Sequence, residues 1–398
     1  MKEKQAVHEC TQTPKKKPNI LMRLLAFLVT LALVLGAVAV VVYRDKFNFD
    51  AVRRYFSYRT LEKSDSGQTE SFGHGGSTKD SFMAVDGDLL VCSNSGVHVF
   101  SADGTSSAEK QLPLSHPITA FAGPYSLIYD AGGHSLLVYG HKDRTFYPPL
   151  VTDAEILSAR LNPSGWLAVT TRATGYKGSV TVYGGDLTPK LRLDLSSSFV
   201  TDALVTADNQ SLVAVTMGQG DFGFESRLAL YHLNRTAEQT EPDAVCCLGS
   251  SVVLDLCEMS TGYCALGDTS LSMVGRDGTL TGTFDYEGRF LKEFSLGGEE
   301  FAAVLLGKYR AGTLSDLVIV DQTGTQTATR RMSEQVLSIS AAGRYLSVLT
   351  ADRLDIYTKD LELYSSLSGT QSARKVLQQP DGSALLIGSE TARLYIPN

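Results

Sequence analysis

The sequence predicts an all-β, eight-bladed β-propeller behind one N-terminal transmembrane helix, and three observations carry that expectation. A short strand recurs, first clear at Gly96-Val97-His98-Val99-Phe100 and returning with anchors at Tyr139, Tyr183, Tyr231, Val274, Val320, Tyr357 and Tyr395. Steps of roughly 40 to 50 residues between such copies mark propeller blades of four strands each. Turn signals of one kind also recur before apolar runs, at Asn162-Pro163-Ser164-Gly165, Ala341-Ala342-Gly343 and Gln379-Pro380-Asp381-Gly382. There the glycine supplies the positive φ of a tight hairpin and the proline presets its neighbour. Finally, no helical period of useful length follows Tyr58. The unit around Val274 lacks an aromatic anchor, and its merger with a neighbour gives seven blades as the alternative.

Along the chain, residues 1–19 are polar, carry Lys15-Lys16-Lys17-Pro18 and read as a basic cytoplasmic tail. Residues 20–43 read as the membrane helix, because 24–43 are twenty residues without a charge, enough to cross a hydrocarbon core of about 30 Å at 1.5 Å per residue. A cleaved signal peptide is the competing reading, since Ala37-Val38-Ala39 has the form of a cleavage site; the apolar run continuing through Val40-Val41-Val42 argues for an anchor. Basic residues flank the run on both sides, so orientation follows from the short leader, which stays inside while a long folded domain translocates. The expected location is the cell membrane, single-pass, N-terminus cytoplasmic and propeller outside.

Residues 44–63 read as a juxtamembrane helix and stalk. Asn48 is placed to cap a helix through Tyr58, with Phe49, Val52 and Phe56 on one face and Arg53 and Arg54 beside them. Two readings stay open: an interfacial helix with its arginines toward lipid phosphates, or a stalk helix packed on the propeller. The propeller itself is assigned to 64–398. Its last unit offers only three strands before the chain ends, so the alternating stretch 68–72 is expected to supply the fourth and close the ring.

Composition narrows the function classes. Net charge is −7 with the acidic excess after the apolar run, which excludes a nucleic-acid binder built on clustered Lys and Arg. Six cysteines, five of them beyond the apolar run, form no metal pattern. They read as buried thiols, with a Cys257–Cys264 disulfide as the sharper alternative. Seven histidines are scattered without metal spacing, and His98 and His232 fall on repeat strands. The carboxylates of Asp86-Gly87-Asp88 and Arg276-Asp277-Gly278 adjoin glycines and read as hairpin turns rather than an acid/base pair. No cofactor site is expected.

Three long connections stand out instead: 172–178, 217–225 and 306–312. All follow the second strand of their units, so a regular propeller puts them on one face, and long loops on a rigid scaffold carry binding. The candidate binding face comprises Tyr176, Lys177, Gln219, Asp221, Phe222, Phe224, Lys308, Tyr309 and Arg310.

The lysine-bearing leader, the span, the segment Asp50-Ala51-Val52-Arg53-Arg54-Tyr55-Phe56-Ser57-Tyr58-Arg59, the Asn162-Pro163-Ser164-Gly165 turn and the Gly175-Tyr176-Lys177-Gly178 loop together resemble an uncharacterised family of membrane-anchored propeller proteins from Gram-positive bacteria. That resemblance implies fold and location and supplies no catalytic residues. More distantly the repeats look like quinoprotein-type and WD-repeat propellers. Adjacent Cys246-Cys247 matches the vicinal disulfide of the quinoprotein class, but a single tryptophan, Trp166, leaves its repeated tryptophan docking unbuilt. The expected function is therefore a non-catalytic binding or scaffolding module for a cell-envelope protein, peptide or glycan. The alternative is a quinoprotein-like redox enzyme or ligand sensor using the channel.

Overall fold

The computed structural model describes residues 20–42, 49–77, 80–85, 87–220 and 223–397. The chain divides into two compact units, Met1–Val52 and Arg53–Asn398. In the first, α1 (Ile20–Val42) is a continuous helix of 23 residues whose single charge is Arg23. Its side chains are described only over 24–36, where they are exposed. Among the described residues no helix is long and apolar enough to cross a membrane. The basic tail, Tyr43 and the expected cap Asn48 lie outside the described residues.

The second unit is an eight-bladed propeller. Eight separate antiparallel sheets follow one another in sequence, and the unit around Val274 forms its own blade from Val253–Met259 to Leu280–Asp285, which removes the seven-blade alternative. The first strands of the blades are Ser81–Val85, Pro117–Ala122, Ile156–Leu161, Phe199–Val205, Val253–Met259, Phe290–Ser295, Val336–Ala342 and Ala373–Gln378, and the first four, the last three, and the eighth with the first contact one another in turn. Apolar side chains pack between blades rather than within them. One cluster joins Val180, Val182 and Leu193 of the third blade to Val200, Leu212 and Tyr231 of the fourth. Of the repeated anchors, Tyr139, Tyr231, Val274, Val320, Tyr357 and Tyr395 are buried in such seams, where large aromatic area stabilises most.

The recurring turns take the expected backbone: Gly165, Gly343 and Gly382 have φ of 83°, 56° and 88°. Asn162, 4% exposed, locks its own turn by accepting from the N–H groups of Ser164 and Trp166 and donating to the Thr206 carbonyl of the next blade. Turns joining first to second strands lie on one side of the ring, the turn face. Connections joining second to third strands lie on the other, the loop face.

Ring closure uses the N-terminal segment. Phe72–Gly73 forms the outer strand of the eighth blade, pairing Phe72 with Ala392 and Gly73 with Thr391, and Gln68 bridges to Tyr395. The expected closing stretch is thus in place, and it seals the free edge of Thr391–Tyr395.

Helix α2 (Phe49–Tyr58) resolves the open question about its arginines against lipid contact by Arg54. Arg54 is 3% exposed. Its guanidinium donates to the Asp381 carbonyl at 2.5 Å and to the Tyr364 hydroxyl at 2.7 Å, and lies 5.7 Å from the Tyr364 ring centroid. One turn later the buried Tyr58 hydroxyl meets Ser383 at 3.2 Å. The C-terminal half of α2 therefore packs on the eighth blade's 379–383 turn, on the turn face.

Candidate binding cleft on the loop face

The loop 172–177 and the strands it connects form one wall of a cleft between the third and fourth blades. Its cavity of about 670 Å³ is lined by Leu157, Tyr176, Lys177, Phe199 and Met217 among others. Leu157 reaches the cleft because a β-bulge interrupts the pairing of Ile156–Leu161 with its neighbour between Ile156 and Ser158, and such an extra residue re-aims its side chain. Tyr176 and Phe199 are each 50% exposed, an apolar surface lacking a cover. Lys177 is fixed beside them: its ammonium donates to the Ser197 carbonyl at 2.9 Å and sits 5.3 Å from the Phe199 centroid, a cation–π distance. Arg172 closes the rim through a 3.0 Å ion pair with Glu155.

The stretch read from sequence as a loop over 217–225 is instead an extended hairpin. Ser211–Gly220 and Gly223–His232 stay paired out to Gly220 and Gly223, including Gln219 opposite Phe224. Pairing with the first strand ends at Met217 and with the fourth at Ser226, so the paired segments Gly218–Gly220 and Gly223–Glu225 extend past their blade beside the cleft. Phe224 is 70% exposed; Asp221 and Phe222 lie outside the described residues. Glu225 at the hairpin's base is held below the usual carboxylate range by hydrogen bonds from the Cys247 thiol and from Arg227. The same contact with Glu225, then burial, pushes the Cys247 thiol up.

The third predicted connection occupies the same face but a different cavity. Arg310 lines a space of about 960 Å³ with Arg289, Phe290, Lys292 and Glu293, and its guanidinium lies 5.5 Å from the Phe290 ring. Lys308 stacks on exposed Tyr309 at 5.6 Å. This larger cavity is lined by charges of both signs, Arg289, Lys292 and Arg310 with Asp268, Asp285 and Glu293. The smaller cleft has the unsatisfied apolar surface expected of a recognition site. Tyr176 and Lys177 thus join Met217 there, while Lys308, Tyr309 and Arg310 do not. Sequence reasoning missed Leu157 and Phe199, although the leucine pair Leu157 and Leu254, both at the bulge of a first strand, is a repeat-aligned signal.

The remaining candidate chemistry resolves into structure. The five described cysteines are free thiols. Cys257 and Cys264 sit directly opposite across a ladder without a disulfide, and the hydrogen bond that the Cys264 thiol makes to Cys257, with burial, drives the Cys264 thiol well up. Cys246 is buried and Cys247 exposed, the alternation of a strand, so the two thiols face opposite sides of their sheet. Asp277 caps its own turn by accepting from Thr279, with Gly278 at φ 82°. Among the described residues no cluster of three or more His, Cys, Asp or Glu side chains is placed to hold a metal ion.

These features define a class: an eight-bladed propeller with WD40-like architecture and an apolar, cation-rimmed cleft on its loop face. The chain belongs to the DUF5711 family of unknown function, whose family model matches residues 52–391. No curated protein matches it. Solved propellers share its fold at low identity. The C-terminal WD40 domain of Sif2 aligns at 14% identity and a TM-score of 0.57, covering 84% of this chain and 97% of that one. Sqt1 from Saccharomyces cerevisiae gives 10%, 0.56, 84% and 100%, and BamB from Moraxella catarrhalis 9%, 0.50, 83% and 99%.

Proposed function

We propose that this protein is a membrane-anchored, extracytoplasmic, non-catalytic binding module, held by α1 with its N-terminus in the cytoplasm, that engages an extended segment of a cell-envelope protein. The observation that carries the reading is the cleft itself, where half-exposed Tyr176 and Phe199 surround an open apolar floor and Lys177 and Arg172 stand at the rim. Aromatic walls over an apolar floor accept an aliphatic or aromatic side chain, and the cations favour a neighbouring carboxylate. The twenty uncharged residues 24–43 of the sequence support the anchor.

In cells, crosslinking followed by recovery of the protein should yield a partner with the wild type. The double substitution Tyr176→Ala and Phe199→Ala should lower its recovery roughly thirty-fold, the loss of about 2 kcal/mol typical of one aromatic anchor. Both residues are half-exposed, so the melting temperature should stay nearly unchanged. Arg310→Ala, in the separate cavity, should leave recovery intact. Undiminished recovery by the double variant refutes the cleft as the binding site.

A further inference from the structure

Helix α2 is amphipathic in the reverse sense to an ordinary surface helix. A helix packed on a globular domain turns its apolar stripe inward and its charges outward. Here the inward pair is Arg54 and Tyr58, four residues apart, while Tyr55 and Phe56 point away at 68% and 62% exposure. At 3.6 residues per turn, Tyr55, Phe56 and exposed Arg59, the residue just past the helix end, occupy one stripe. The edge-to-face packing of Tyr55 on Phe56, centroids 5.6 Å apart, makes the stripe a continuous aromatic surface. The protein pins the helix in this setting with the hydrogen bonds from buried Arg54 to the Asp381 carbonyl and Tyr364 hydroxyl, so the exposed stripe is held out rather than mobile.

We propose that this stripe rests in the surface of an anionic bilayer, with Tyr55 and Phe56 at the headgroup boundary and Arg59 among the phosphates. The occupant follows from two facts. Only residues 43–48 separate α2 from the apolar helix α1, so whatever α1 enters lies within a few residues of the stripe. The stripe also pairs aromatic rings with a cation, the composition of interfacial anchors. The consequence is an orientation. Because Arg54 and Tyr58 dock on the 379–383 turn, the turn face lies toward the bilayer and the loop face, with its cleft, looks away from it. This inference rests on the reading of α1 as an anchor.

The test uses the full-length protein in vesicles of phosphatidylcholine and phosphatidylglycerol with brominated acyl chains. Trp166→Phe removes the native tryptophan, and Phe56→Trp or Tyr309→Trp then supplies the single reporter. Interfacial burial of about 5–10 Å brings the Phe56→Trp reporter within reach of bromine, so roughly half or more of its emission should be lost. The Tyr309→Trp reporter, on the loop face, should lose none. If the protein floats with the vesicles but the Phe56→Trp reporter is unquenched, the anchor stands and the proposal falls. An unquenched reporter with a dimer's mass in detergent assigns the stripe to a second copy and overturns the proposal equally. A protein that does not float removes the anchor reading and the proposal with it.

Discussion

Deleting residues 64–74 is expected to lower the melting temperature by roughly 5–10 °C, from the loss of about 5 kcal/mol. The segment is short, yet it completes the eighth blade. Beyond the Phe72–Ala392 and Gly73–Thr391 pairs, the Thr69 N–H donates to the Leu394 carbonyl at 2.9 Å, the Ile396 N–H to the Gly67 carbonyl at 2.8 Å, and the His74 N–H to the Glu390 carbonyl at 3.1 Å. Each such bond is worth about 1 kcal/mol net. Phe72 adds apolar burial against the Phe100 ring, 5.7 Å between centroids, on the order of 2 kcal/mol. The ring magnifies these terms, because the eighth blade touches the first and a strand lost there opens the seam holding Phe82, Leu89, Leu385 and Leu394. It also exposes the edge of Thr391–Tyr395, so the deleted protein should aggregate on heating. Phe72→Ala alone should reproduce about half of the loss. Thermal unfolding indistinguishable from wild type in the deletion would show that the ring closes without this strand.

Blade number and closure were legible because each blade repeats one strand and one turn, and eight weak signals at regular spacing reinforce each other. The missing fourth strand of the last unit was an arithmetic consequence of that count. What the repeat does not encode was hidden. Arg54 lies beside Arg53 on a helix with an apolar face, and nothing local distinguishes the buried arginine from its exposed neighbour. Its burial depends on Asp381 and Tyr364, more than three hundred residues away. The second blade's outer strand is split into Thr145–Phe146 and Leu150–Val151, and the break falls at Pro148-Pro149, which have no N–H to give a ladder. The cleft was half legible: a long loop announces itself by its length, but Leu157 lines the cavity only through a bulge, which shifts one residue without changing composition.

Those bulges also organise the inner wall of the ring. Side chains on one first strand repeatedly accept backbone N–H groups of the next: Ser295 from Ala341 at 2.9 Å, Ser340 from Gln378 at 3.0 Å, and Glu293 from Ile339 at 3.1 Å. Elsewhere Arg160 spans three blades, reaching Asp202 and Asp255 at 2.5 Å each. Although burial opposes its charge, the two carboxylates hold Arg160 protonated and push its pKa up. Such cross-blade bonds, with that from Asn162 to the Thr206 carbonyl, help fix the register between sheets whose facing surfaces are apolar.

Glu293 is the member of this set where a neutral hydroxyl would serve equally well, and its carboxyl should make stability pH-dependent. Burial raises its pKa from 4.5 to about 7, against the opposing hydrogen bonds from Ile339 and Ser338 and the charge of Lys375. A folded-state pKa above the unfolded value means that the native protein binds the extra proton between pH 4.5 and 7. The contribution of Glu293 is therefore fully present below the unfolded pKa and is lost as pH rises through the folded one. Above pH 7 the wild type carries an ionised, largely buried carboxylate at a cost on the order of 3 kcal/mol. Glu293→Gln keeps a side-chain oxygen to accept from Ile339 and removes the charge. In urea denaturation at pH 8 the variant should be more stable by about that amount, and the advantage should shrink to near zero as pH falls toward 4.5. Curves for wild type and variant that stay parallel across this range would mean that Glu293 titrates as an ordinary surface carboxylate.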